Sequence, residues 1–262
     1  MTIDLTDFED GKKYGGDYDA DLSALQARLA HIQIAHIIHG KSAIIAFECW
    51  DASGKGGAIS RMTAGWDPRY FEVWPIAAPS EEERVRHFLW RFWKRLPGKG
   101  EINIFDRTWY GRVLVERIEG YCSEADWQRA YDEINEFEAQ QRDNGVTLIK
   151  LFLHITQAEQ DERFRERLEN PWKRWKTGKD DYRNRARRAD YLKAYKDMFE
   201  RTDTRWAPWV VIDANNKKAA RIAVLKAVAD ALERNVSMTP VAADPELIAI
   251  AETALGGPIT LA

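Results

Sequence analysis

The ten residues Glu48-Cys49-Trp50-Asp51-Ala52-Ser53-Gly54-Lys55-Gly56-Gly57 constrain this chain more than any other stretch. They follow an apolar run at 42–47 that reads as a buried strand, and they lead into a helical stretch at 55–64. A Gly-rich turn between strand and helix offers an anion backbone N–H groups, the positive end of a helix and one Lys, which together cradle phosphate. Gly54 and Lys55 form the core of that loop, and Ser53, Gly56 and Gly57 complete its expected phosphate-binding backbone. Two positions depart from the pattern G-x-x-x-x-G-K-[ST]: Cys49 stands at the first Gly, and Gly56 stands where a hydroxyl would hold Mg2+. Another oxygen must then take the metal, and Asp51, inside the loop, is the candidate, since a hard cation selects oxygen ligands. The plainer alternative for Asp51 is a cap on the helix that begins near Ser53.

A second cluster lies at 101–112. Residues 102–105 read as a short buried strand, and Asp106 falls at its C-terminal end, the side on which open parallel sheets bind ligands. Asp106 is thus placed as a second metal ligand, while Arg107 and Arg112 can bring charge to phosphoryl oxygens. Alone, this segment would read as a strand-end turn with solvated charges. Together with the Lys55 loop it completes a phosphoryl-transfer constellation.

The remaining pattern is alternating. Helices are expected at 22–39, from a Ser80/Glu83 capping box to about 95, from a Ser123/Asp126 box to about 144, and at 216–234; strands are expected at 71–76, 146–153 and 209–212. Alternation of this kind implies an α/β sandwich with a mostly parallel sheet. Residues 1–20 read as a flexible arm, 21–235 as the catalytic domain and 236–262 as a tail. Within the domain, 163–190 reads as a helical, basic lid, charged and aromatic but poor in aliphatic residues. Arg163 and Arg167, four apart, share a helix face there. Lys173, Arg174 and Lys176 alternate with Trp172 and Trp175, a pattern suited to a polyanion and, on its own, also to nucleic acid.

The formal net charge of -3 gives no global basic field, so the totals do not point to nucleic acid. Two cysteines, Cys49 and Cys122, are too few for a disulfide framework and imply reduced thiols in a cytoplasm. No stretch approaches the ~20 apolar residues a membrane span needs. His31, His36 and His39 lack the i,i+4 spacing of a helical zinc pair. Cys122 reads as a small buried apolar residue and the 11 tryptophans as core and interface packing, with a pocket wall or base-stacking platform as the alternative for Trp50 and Trp109 beside the two carboxylates.

The stretches FECWDASGKGGAISR at 47–61 and FDRTWYGR at 105–112 resemble the two signature segments of the polyphosphate kinase 2 family, G-x-D-x-x-G-K-G and F-D-R-S-x-Y. The similarity extends through DPRYFEVWPIAAPSEEE at 67–83, FLWRFWKRLPGKGEI at 88–102, RFRERLENPWKRWK at 163–176 and APWVVIDANNKKAARI at 207–222. Cys49, where the family usually has Gly, is the main departure. The resemblance implies a P-loop kinase-like three-layer sandwich with a helical basic lid. It implies a cytoplasmic enzyme that transfers phosphoryl groups between inorganic polyphosphate and a purine nucleotide with Mg2+, or Mn2+ in its place. In that scheme Lys55 and the loop hold phosphate, and Asp51 and Asp106 bind the metal. Arg107, Arg112, Arg163 and Arg167 neutralise the transferring group, while Arg61, Lys173, Arg174 and Lys176 track the polymer. VLVERIEGYCSEADW at 113–127 is closest to the group that phosphorylates nucleoside monophosphates, whose members often carry two fused copies of the domain; one copy fits here. Dimers or tetramers are common in the family. Two rival readings stand beside it: an ATP-dependent nucleotide or small-molecule kinase on the same core, and a non-enzymatic polyanion or nucleic-acid binding module.

Overall fold

The computed structural model describes residues 3–261. Five strands, β1 Ala43–Cys49, β2 Phe71–Pro75, β3 Ile102–Asp106, β4 Thr147–His154 and β5 Trp209–Asp213, form one sheet in the order β2-β3-β1-β4-β5. Every neighbouring pair is parallel. Strands covered on both faces are expected to be apolar along their whole length rather than alternating, and residues 43–48 of β1 are all buried. The helices in the first half are α1 Tyr18–Ile38, α2 Lys55–Met62, α3 Glu81–Arg84, α4 Trp90–Trp93, α5 Val115–Glu119 and α6 Glu124–Asp143. Those in the second half are α7 Gln157–Glu169, α8 Lys179–Ala186, α9 Arg188–Thr202, α10 Lys217–Glu233 and α11 Pro245–Leu255. Helices α1, α2 and α10 pack together as one outer layer, and α5, α6 and α9 as the other, giving the expected three-layer α/β sandwich.

The order of strands positions the site. The chain leaves central β1 toward β2 and β3 on one side and later returns to β4 and β5 on the other, so β1 is the point where the winding reverses. Ligands in such sheets bind beyond the C-terminal ends of the strands at that point. The loop after β1 occupies it.

One interruption of the apolar pattern fixes a neighbouring segment. Lys150 of β4 is fully buried, where an unpaired ammonium would cost several kcal/mol. Its Nζ lies 3.0 Å from Glu138 of α6 and donates to the Thr202 carbonyl at 2.6 Å. Glu138 also accepts from Trp109 Nε1 at 3.0 Å and the Tyr110 hydroxyl at 2.7 Å. The turn that follows β3 is thereby anchored in the interior.

Three sequence expectations are corrected. The helix from the Ser80 box does not run on to 95: it stops at Arg84, and the chain turns again before α4. The capping box itself is formed, but the apolar residues beyond it do not share one face, since Val85 is 82% exposed while Leu89 is buried. The arm at 1–20, apart from residues 1 and 2, which lie outside the described residues, is tied down. A 3-10 turn, Leu5–Phe8, packs on β5, Gly11 donates its N–H to Asp213 at 2.7 Å, and Glu9 meets His154 Nε2 at 2.9 Å. Cys122 is half-buried, its thiol near the Arg112 carbonyl. The tail at 236–262 holds α11, started by the Asp244 cap and Pro245 and without a buried residue; Ala262 lies outside the described residues.

Candidate active site

β1 ends at Cys49 and α2 begins at Lys55, so 50–54 form the connecting loop. Gly54 is the N-cap of α2 with φ +102, a conformation open to Gly at little cost, and no side chain caps the helix. The first N–H groups of a helix lack intrahelical partners, and here they border a cavity of about 620 Å³. Ser53 adds a buried hydroxyl without a protein partner. These are the orphan donors that phosphate oxygens would satisfy. An added Cβ at Gly56 would meet no protein atom within 4 Å, so its missing side chain leaves room for a ligand.

Cys49 at the first-Gly position is explained by the backbone. It stays extended and pairs with Leu153 of β4, so no glycine is required. The sharp bend falls instead at Ala52, with φ +66. Arg107 is the other non-Gly residue with positive φ among the described residues, also at +66. Each follows directly after one of the two carboxylates expected to hold metal.

Asp106, the last residue of β3, lies 2.5 Å from Lys55 Nζ. Burial opposes the Lys55 charge, but Cys49, Asp106 and Glu48 more than restore it, and its pKa is raised. Asp51 accepts from Arg107 Nη2 on one oxygen and from Asn184 Nδ2 of α8 on the other, both at 3.1 Å. Asn184 in turn accepts from the Tyr191 hydroxyl at 3.2 Å, so a lid helix touches the loop carboxylate. Both Asp51 and Asp106 border the main cavity. Among the described residues no group of three or more His, Cys, Asp or Glu forms a closed metal cage. That donor set fits Mg2+, which is commonly held by one or two carboxylates plus substrate phosphates and water.

The cationic residues divide. Lys55, Arg107, Arg167, Lys173 and Lys176 border the cavity as the sequence suggests. Arg163 also reaches it but is 3% exposed. Its five N–H donors go to Glu159, the carbonyls of Ala52 and Ser53, and those of Ala214 and Asn215. Arg163 is therefore a brace between the loop and the β5–α10 corner, with no donor left for a transferring group. Arg112 is turned away, 3.2 Å from Glu116 and over the Phe88 ring. Arg174 donates to the Leu168 carbonyl and Arg61 to the Gly57 carbonyl, and neither borders the cavity. Trp109 takes the first of its two readings: it is core, packed edge-to-face against Phe92, Phe105 and Phe137, and is not a pocket wall. Trp50 does border the cavity, under the Arg188 guanidinium at 3.9 Å.

Sequence reading missed Lys217 and Arg221, on the first turns of α10 facing the same cavity. A weak signal existed: cations at a helix N-terminus oppose its dipole and so need an anion near, which Glu166, 2.7 Å from Lys217 Nζ, supplies for one of the two. A smaller cavity of about 90 Å³ adjoins Asp51 on its other side, lined by Leu114, Val115, Asn184, Tyr191 and Tyr195.

A phosphate loop at the winding reversal of a parallel sheet, with a carboxylate on the adjacent strand and a basic lid, defines a P-loop kinase-like fold. The chain belongs to the polyphosphate kinase 2 family, whose family model matches residues 12–240. It is 50% identical over 218 residues to a polyphosphate:AMP phosphotransferase of Pseudomonas syringae pv. tomato, covering 83% of this chain and 44% of that protein. The chain thus spans about half the length of that relative. It is 40% identical to ADP-polyphosphate phosphotransferase 3 of Rhizobium meliloti, covering 79% of this chain and 73% of the relative. The crystal structure of polyphosphate kinase 2 from Arthrobacter aurescens TC1 superposes with a TM-score of 0.85 at 35% identity, over 97% of this chain and 90% of that one. No helix among the described residues is long and apolar enough to cross a membrane.

Proposed function

We propose that this chain transfers a phosphoryl group from inorganic polyphosphate to a purine nucleoside monophosphate, AMP first among the acceptors, with Mg2+. The observation that carries the reading is the convergence of the Lys55 loop, two carboxylates and cations from three separate elements on one cavity. Lys55 and the loop N–H groups hold the end of the polymer. Arg167, Lys173 and Lys176 from the lid side and Lys217 and Arg221 from α10 carry its following phosphates. An acceptor phosphate oxygen attacks the terminal phosphorus, the bond to the next bridging oxygen breaks, and the polymer leaves one unit shorter. Asp51 and Asp106 would hold Mg2+, whose charge, when bound, offsets that of the phosphoryl oxygens. Asp51 orients the attacking phosphate, and Arg107 supplies charge to the transferring group. The small cavity beside Asp51 is the acceptor's entrance. Assembly as dimers or tetramers in the cytoplasm accompanies this reading.

AMP is favoured over ADP because Leu114 and Val115, at the start of the 113–127 segment, line that entrance and the AMP-named relative is more similar than the ADP-named one. The test offers purified protein polyphosphate and Mg2+ with AMP, ADP, GMP and GDP separately. Turnover with AMP fastest is the expected result; turnover only when ATP replaces polyphosphate would make the chain an ordinary kinase, and no turnover with any donor would leave a binding module. Asp51→Asn and Asp106→Asn should each lose most of kcat while folding normally.

A further inference from the structure

One buried carboxylate has no role in the scheme above. Glu48, the penultimate residue of β1, is 6% exposed and forms no ion pair among the described residues. Burial pushes its carboxyl pKa up, against the opposing pull of Lys55 and Thr108. One of its oxygens accepts twice from Thr108, from the backbone N–H at 2.8 Å and the hydroxyl at 2.7 Å. The Thr108 hydroxyl itself accepts from Tyr110 N–H at 3.1 Å.

Thr108 follows the strained residue. Arg107 is left-handed at φ +66, a conformation that costs a bulky side chain on the order of 1–3 kcal/mol and persists only where its surroundings enforce it. Its own N–H donates to the Phe47 carbonyl at 3.1 Å. Arg107 is thus held on both sides by consecutive residues of β1, the Phe47 backbone before it and the Glu48 side chain after it. The guanidinium that results points at Asp51. Relaxed to the extended region, the same backbone would carry the side chain elsewhere.

We propose that Glu48 is a positioning residue that enforces the left-handed turn at Arg107 and so aims its guanidinium across the site at Asp51. The proposal rests on the phosphotransferase reading of the site for its effect on rate, but not for its conformational content. The test is a double-mutant cycle on kcat and KM with polyphosphate and AMP. Glu48→Ala should lower kcat on the order of 10²-fold, the scale for a misplaced catalytic group, with KM for polyphosphate changed little. Glu48→Gln keeps an acceptor oxygen for Thr108 and should recover most of that loss. In an Arg107→Ala background, Glu48→Ala should cost nothing further. An undiminished loss in that background would overturn the proposal, since Glu48 would then act by another route. Should Glu48→Ala not fold, Thr108→Ala removes one of the two bonds and must show the same dependence on Arg107. If the wild type transfers no phosphate from polyphosphate, the function reading fails by itself. A crystal structure of Glu48→Ala or Thr108→Ala then decides the positioning claim: Arg107 leaves the left-handed region and Asp51, or it remains and the claim falls.

Discussion

Arg163→Ala separates two roles that the sequence cannot distinguish. If the guanidinium neutralised the transferring phosphoryl group, its loss would lower kcat and leave stability alone. The structure instead commits all five donors, four of them to backbone carbonyls at 2.6 to 3.1 Å, in a side chain only 3% exposed. Removing it strips charge-assisted hydrogen bonds from the Ala52, Ser53, Ala214 and Asn215 carbonyls and opens a hole beneath the loop. Breaking a buried polar arrangement of this kind costs roughly 3–5 kcal/mol, a large part of the ~5–15 kcal/mol that holds a typical protein folded. At about 2–4 °C per kcal/mol for a chain of this size, Tm should fall by roughly 10 °C. Arg163→Lys keeps the charge but cannot reach four carbonyls with one ammonium, so an intermediate loss is expected. Arg167→Ala, on the same helix but half-buried and with one hydrogen bond, to the Lys176 carbonyl, should cost no more than about 1 kcal/mol. Thermal and urea denaturation, with kcat measured well below each Tm, read these outcomes. An Arg163→Ala protein that melts with the wild type yet has lost its turnover would refute the reasoning and return Arg163 to the transferring group.

The polymer track predicts that the apparent affinity for long polyphosphate falls steeply with salt, through counterion release. Lys173→Ala with Lys176→Ala, or Lys217→Ala with Arg221→Ala, should raise KM for polyphosphate and flatten that slope more than they change KM for AMP; unchanged slopes in both pairs would remove the track. Gly54→Ala, at φ +102, should cost about 1 kcal/mol or more, whereas Gly56→Ala meets open space and should hold or raise Tm while losing activity. The opposite ranking in a melting experiment would contradict the loop geometry. His154 is buried, accepts from Trp50 Nε1 and meets Glu9, and burial lowers its pKa below 6.5. A depressed base binds protons more readily unfolded than folded, so its contribution to stability is intact above pH 6.5 and is lost as pH falls through that value. His36, lowered for the same reason, adds to the slope, and His154→Gln should flatten it without abolishing it.

The loop, the second segment and the sheet were legible because each rests on local rules. An apolar run without alternation marks a strand covered on both faces, and Gly-Lys between strand and helix marks an anion site. What stayed hidden depends on the direction in which a side chain leaves its helix. Arg163 and Arg167 share a spacing and both reach the cavity, yet the donors of the first are all taken by the loop and its neighbours while the second makes one hydrogen bond, to the Lys176 carbonyl. Arg112 belongs to the signature segment but lies in a 3-10 turn that sends it toward Glu116. Lys217 and Arg221 come from a helix that begins about 160 residues after Lys55 of the loop, and only the parallel return of β4 and β5 brings them near. Glu48 stands beside the loop with no partner visible in the sequence, because Thr108 lies just beyond the neighbouring strand β3.

The place of β1 in the sheet has a consequence for how the protein comes into being. Its two neighbours are β3 and β4, and residue 43 pairs with residues 102 and 147. A chain emerging from the ribosome therefore carries the phosphate loop long before either edge of its strand can be paired. Contacts so distant in sequence slow folding, since the intervening chain must be closed before they form. In the interval an apolar strand with open edges is a template for pairing with other chains. The segment synthesised among the earliest is thus shaped among the last, and fragments ending before β4 should aggregate rather than bind phosphate.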